Sequence, residues 1–174
     1  MTELRLPRAV EAHPAASRFA GELQARSAAL WRGGEANAVS CTITPRVALC
    51  LENARDAGHL ARGLEGAARA LAAEDRGLRK VDRRTNVVRG GRVSRVLVLA
   101  NDGAERFYRN ADKLVREHRP RVLALRTASD QEALAAPLFG PGQLDRALLL
   151  THKDAVSELL LALADDWTGT PADG

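Results

Sequence analysis

Three runs of consecutive aliphatic residues punctuate the chain: VLVLA at Val96–Ala100, VLAL at Val122–Leu125 and ALLL at Ala147–Leu150. Short apolar runs bounded by polar turns are the pattern of strands buried on both faces. Around them, apolar positions recur at helical spacing. Ala15–Leu30 places Phe19, Leu23, Ala29 and Leu30 near one face, and Trp31, Gly33 and Gly34 close it. Pro45 suits the first residue of a second helix, whose apolar face is Val47, Leu49, Cys50, Leu51, Ala54 and Ala57, with Gly58 as the stop. Gly63 opens a third, carrying Leu64, Ala67, Ala68 and Leu71. Ala104–Glu117 turns Phe107, Ala111, Leu114 and Val115 inward, Ser129 or Asp130 caps a helix through Leu134, and Asp154–Ala164 forms the last.

Two stretches break this rhythm. Residues 35–44 are polar and β-branched, a short strand or an extended loop around Val39–Ile43. Residues 74–95 are basic, glycine-bearing and without apolar period, which predicts an inserted loop with a β-ribbon around Thr85–Val93. Strands alternating with helices imply an α/β protein, a three-layer α/β/α sandwich with a small central sheet. The expected organisation is an N-terminal extension with one helix over residues 1–44, an α/β domain over 45–164 and a frayed tail over 165–174. His13 falls in the loose lead-in of that extension.

Composition adds little to the fold and something to the partner. The chain has 174 residues, a formal charge of +4 and a pI near 9.7, compatible with a polyanionic partner, although arginine and alanine are abundant throughout. Cys41 and Cys50 are the only cysteines, too few for a structural zinc site and consistent with a reduced chain. No apolar run approaches the ~20 residues that span a bilayer, and MTELRLPRAVEAHP has no secretory apolar segment. The expectation is an intracellular protein, cytoplasmic or nuclear, with no membrane association.

Candidate chemistry is sparse. His59, His118 and His152 sit on separate elements without ligand spacing, so surface or capping roles are expected. Asp102, Glu105 and Asp130 fall at strand ends, where α/β proteins often hold active sites, but no nucleophile motif accompanies them. Asp102 is read as a turn residue capping the helix that follows it. Gly90–Gly91 and Gly63-x-x-Gly66 are not dinucleotide fingerprints. No cofactor, metal or catalytic residue is expected. The strongest local signal is charge: Arg76, Arg79, Lys80, Arg83, Arg84, Arg89, Arg92 and Arg95 lie close together in sequence. Guanidinium forks pair with phosphate oxygens, and such clusters steer nucleic-acid association.

From Val47 to Leu163 the order of elements resembles the L-seven-Ae/L-thirty-e superfamily of RNA-binding proteins. LENARDAGHLARGLEGAARAL resembles that family's opening helix, its Ala-x-x-Ala-Gly-x-Leu turn and the glycine that starts its RNA-contacting helix. VLVLANDG resembles its central strand ending in Ala-x-Asp, RPRVLALRTASDQEALAAPLFG its strand, polar loop and short helix, and RALLLTHKDAVSELLLAL its closing strand and helix. In the family a Gly-x-Asn-Glu helix start, followed by a basic residue, grips a kink-turn. Here Gly63 and Arg69 match, whereas Glu65 and Gly66 stand in place of the Asn and Glu. A carboxylate at Glu65 cannot donate the hydrogen bonds an amide would give to a base edge, which weakens the case for standard kink-turn recognition. The basic segment is atypical too, and offers an alternative contact as in divergent members such as the RNase P/MRP protein subunit.

The resemblance implies a non-catalytic RNA-binding subunit of a ribonucleoprotein, whose partners are structured RNA and other protein subunits. Gly63 and its neighbouring N–H groups would meet RNA at a helix N-terminus. Arg69, Arg79, Lys80, Arg83, Arg84, Arg89, Arg92 and Arg95 would neutralise phosphates, and Thr127 and Ser129 would flank the strand. The alternative is a protein–protein assembly module on the same fold with the RNA surface lost.

Overall fold

The aliphatic runs form the centre of one six-stranded mixed sheet, seen in a computed structural model that describes residues 4–85 and 91–169, without the side chains of 81–85. Its strands are β1 (Ser27–Ala29), β2 (Asn37–Cys41), β3 (Leu60–Arg62), β4 (Arg95–Leu99), β5 (Val122–Thr127) and β6 (Ala147–Leu150), in the order β1-β2-β5-β4-β6-β3. β2, β5 and β4 run parallel, while β1, β6 and β3 are antiparallel to their neighbours. Val96, Leu97, Val98 and Leu99 are all buried because helices cover both faces.

The helices among the described residues are α1 (Arg8–Glu11), α2 (Ala16–Ala25), α3 (Pro45–Asp56), α4 (Gly63–Thr85), α5 (Glu105–Glu117), α6 (Gln131–Phe139) and α7 (Lys153–Thr168). Phe19, Leu23, Val47, Leu51, Leu134 and Leu159, from α2, α3, α6 and α7, pack on the face presenting Val39, Val96, Val98, Leu125 and Leu148. Ala67 and Leu71 of α4, with Tyr108, Ala111 and Leu114 of α5, cover Ala38, Leu97, Leu99, Ala124 and Leu149 on the other. The result is the expected three-layer α/β/α sandwich.

Local chemistry explains the boundaries. Thr44 accepts from the Val47 N–H at 3.3 Å and Pro45 occupies the first position of α3, a capped start with a preset φ. Gly58, at φ 75°, ends that helix, and Gly63, also at φ 75°, turns β3 directly into α4. Side chains other than glycine rarely adopt that conformation, so both positions depend on the missing Cβ.

Five expectations need correction. The segment taken as an extension supplies two of the six strands: the sheet includes β1 and β2, and Phe19 and Leu23 are core residues. The predicted Ala15–Leu30 helix stops at Ala25, and Ser27–Ala29 pairs with β2 instead. His13 is buried, its Nε2 2.8 Å from Asp165 Oδ1 while its Nδ1 accepts from the Ala15 N–H. Residues 165–168, taken as tail, complete α7, and Trp167 packs on Phe19. Leu49, placed on the buried face of α3, is 55% exposed.

Candidate nucleic-acid interface

The largest departure from the sequence reading lies in residues 74–95. α4 does not stop after Leu71 but runs on to Thr85, so Arg76, Arg79 and Lys80 are helical rather than looped. Its buried line continues as Ala67, Leu71, then Glu74 and Asp75, then the half-buried Leu78. The two carboxylates take over from the apolar residues. Glu74 holds Arg95 at 3.0 Å and Arg121 at 3.5 Å, and Asp75 holds Arg121 at 2.8 Å, with the His118 ring beside it. These ion pairs clasp the middle of α4 to the beginnings of β4 and β5.

The opposite side of α4 faces solvent. Arg69, Arg76 and Lys80 are separated by seven and four residues, close to two turns and one turn at about 3.6 residues per turn, so they form one line with Arg79 on its flank. All four are exposed, and none makes a hydrogen bond or ion pair with a described residue. Ala72, Ala73 and Gly77 lie between them. Arg83 and Arg84 continue on the helix, with side chains outside the described residues, as is all of Arg89.

Arg92 and Arg95, grouped with these in the sequence, serve the fold. Arg92 donates to the Leu6 carbonyl at 2.8 Å and pairs with Glu11 at the same distance. Arg95 belongs to the clasp. Their partners leave neither guanidinium free.

Gly63 lies at the opposite end of α4, on the sheet edge where β2, β5 and β4 finish. The N–H groups of Glu65 and Gly66 receive no side-chain cap among the described residues, and Glu65 complements the helix dipole from the first turn. Thr127 and Ser129 share this edge, but β5 is three strands from β3, about 14 Å at ~4.8 Å per strand. Thr127 is buried: its hydroxyl donates to the Leu99 carbonyl at 2.9 Å and accepts from the Ser129 N–H at 3.3 Å. It fastens β5 to β4, and the reading of Thr127 as an RNA contact is withdrawn. Ser129 is half-buried, its carbonyl accepting from the Asn101 N–H at 2.9 Å.

The strand-end carboxylates are tied down as well. Asp102 does not cap α5, whose N-cap is Ala104; its Oδ1 accepts instead from the Gln131 N–H at 3.1 Å and lies 3.5 Å from Arg146. Asp130 caps α6 by accepting from the Ala133 N–H at 2.8 Å. Burial pushes the Cys41 thiol up to about 11 and the Cys50 thiol up to about 12, so neither is a thiolate at neutral pH. Among the described residues no cluster of three His, Cys, Asp or Glu side chains is placed to hold a metal ion. An open depression of about 570 Å³ runs along α6 between Asp130, Ala133, Ala136, Pro137 and Pro141, and its one strand-end carboxylate is the helix cap.

Of the residues singled out by sequence, the structure gathers Gly63, Arg69, Arg79 and Lys80 on one helix. Arg76 joins that line. Glu74, Asp75 and Arg121 were not foreseen as a unit; the signal available was an acidic pair one helical step beyond Leu71. Neither protein-family models nor curated proteins yielded a match to this chain. No helix among the described residues is long and apolar enough to cross a membrane.

Proposed function

We propose that the protein is a non-catalytic RNA-binding subunit of a ribonucleoprotein and meets RNA through the outer face of α4. One observation carries this reading: Arg69, Arg76 and Lys80, with Arg79 on their flank, stand on a solvent-facing side without partners among the described residues, while the neighbouring Arg92 and Arg95 are engaged. Maintaining four like charges on one helical face works against the helix, since like charges one turn apart repel. A polyanion relieves that repulsion and releases its own counterions on binding. The resemblance to the L-seven-Ae/L-thirty-e superfamily supports the same reading, with α4 as the counterpart of the RNA-contacting helix. The free buried thiols of Cys41 and Cys50 suit an intracellular setting.

The test is a filter-binding titration of the whole chain against structured RNA at several salt concentrations. Binding should weaken steeply with salt, with a slope near three to four from the described cations, since each neutralised phosphate contributes roughly one. Weak, salt-independent binding, or a stable complex with an acidic protein that survives nuclease treatment, overturns the proposal.

A further inference from the structure

We infer that α4 seats on the phosphate backbone of double-stranded RNA and takes no sequence information from it; this deepens, and rests on, the RNA-binding reading above. Three features of the molecule carry the inference.

The first is that no Trp, Tyr or Phe ring stands free to stack on a base. The chain has two Trp, one Tyr and three Phe, and α4 contains none of them. Each ring has an intramolecular partner. Trp31, Tyr108, Phe139 and Trp167 lie under the guanidinium groups of Arg109, Arg126, Arg62 and Arg26, between 3.9 and 4.6 Å from ring centre to carbon. Phe19 packs on Trp167, and Phe107 meets Tyr108 edge-on. Proteins that hold single strands rely on free rings as stacking platforms, worth about 1–3 kcal/mol per base.

The second is the composition of the face itself. Between the cations it presents Ala72, Ala73 and Gly77, and from Gly63 to Lys80 the helix has no Asn, Gln, Ser or Thr, so its only polar contacts to a duplex come from its charged groups. Short side chains let the helix surface come close to a backbone. Only point charges and guanidinium forks project from it.

The third is shape. The line from Arg69 to Lys80 is convex and about 16 Å long at ~1.5 Å per residue, a ridge rather than a channel. Single-strand sites are charged grooves that track a flexible chain. A ridge instead suits a rigid double helix. In A-form RNA the major groove is too deep and narrow for side chains to read, so recognition falls to shape and phosphates. The wide major groove of B-form DNA would instead open guanine edges to these same cations, so a matched DNA duplex separates backbone seating from base reading.

The experiment uses fluorescence anisotropy of the full chain with three unrelated 20-bp RNA duplexes, a matched 20-nucleotide RNA single strand and a matched DNA duplex. The three RNA duplexes should bind within two-fold of one another and at least ten-fold tighter than the single strand or the DNA. Arg69→Gln, Arg76→Gln and Lys80→Gln should each lower the salt slope by about one. Glu65→Gln removes an exposed carboxylate from the same face and should tighten duplex binding, a gain that a folding defect cannot mimic. Tighter binding of the single strand or the DNA, or a ten-fold spread among duplex sequences, overturns this inference and leaves RNA binding standing. Failure to bind any RNA overturns both.

Discussion

The two sides of α4 carry the same chemistry to opposite ends. On the inner side, Glu74 and Asp75 meet Arg95 and Arg121, and those charges close on one another. On the outer side, Arg69, Arg76, Arg79 and Lys80 meet no described residue. Arg76 lies one position from Asp75, so proximity in sequence does not tell the two groups apart. What distinguishes them is whether a carboxylate stands opposite. An arginine count therefore does not say how many cations a surface leaves free; the carboxylates opposite them do.

The sharpest way to break this contrast is to open the clasp. Glu74→Ala strands the largely buried guanidinium groups of Arg95 and Arg121 and should cost about 2 kcal/mol, between the values for surface and fully buried pairs. Urea denaturation measures the loss, and a variant as stable as the parent would show that the clasp does not hold α4.

Asp112, on α5, offers a second inward-facing charge. It is 2% exposed, accepts from the Ala36 N–H at 2.6 Å and holds Arg116 at 2.7 Å. Burial pushes its carboxyl up, but the Ala36 N–H and Arg116 outweigh that and hold it below the usual aspartate value. The depressed carboxyl stabilises the fold fully above the unfolded value of about 4, and that contribution is lost as pH falls through the folded value. Asp112→Ala should cost about 1–2 kcal/mol near neutrality and flatten the acid limb of the stability–pH curve. An unchanged acid limb in pH-dependent denaturation would count against this role.

The smallest effect on the fold is expected outside. Arg76→Gln combined with Lys80→Gln should change stability by less than about 0.5 kcal/mol, since neither side chain has a described partner. The same pair should reduce the salt slope of RNA binding by about two. A large loss of stability, read from thermal unfolding, would reassign these cations to the fold.

The central strands were the most legible part of the sequence. ALLL predicts β6 to the residue, and VLVLA and VLAL locate β4 and β5 within two residues, because strands buried on both faces leave unbroken aliphatic runs. The helical half of residues 74–95, residues 74–85, was illegible for a specific reason. Its inward positions after Leu71 are Glu74 and Asp75, so the helical period persists in partners while it vanishes in hydrophobicity. β1 was hidden by its composition, since Ser27, Ala28 and Ala29 lack the branched and aromatic side chains that mark strands. For Asp102 the capping role was legible but the helix was not: its partner Gln131 is 29 residues away and becomes a neighbour only when β4 and β5 pair. The same limit applied to the candidate site. The sequence located the cations, and only their partners separated the free ones from the engaged.

The position of β2 in the sheet has a consequence for how the chain reaches this state. β2 pairs with β5, whose residues follow it by more than 80 positions, and His13 joins Asp165 across 152. The opening segment therefore finds its place only after nearly every other element has been made. Closing such long loops is costly in entropy and slows the search for the native arrangement. During synthesis, Phe19, Leu23 and the free edge of β2 wait exposed until β5 and α7 arrive, and that interval is when the chain has the greatest need of protection from other chains.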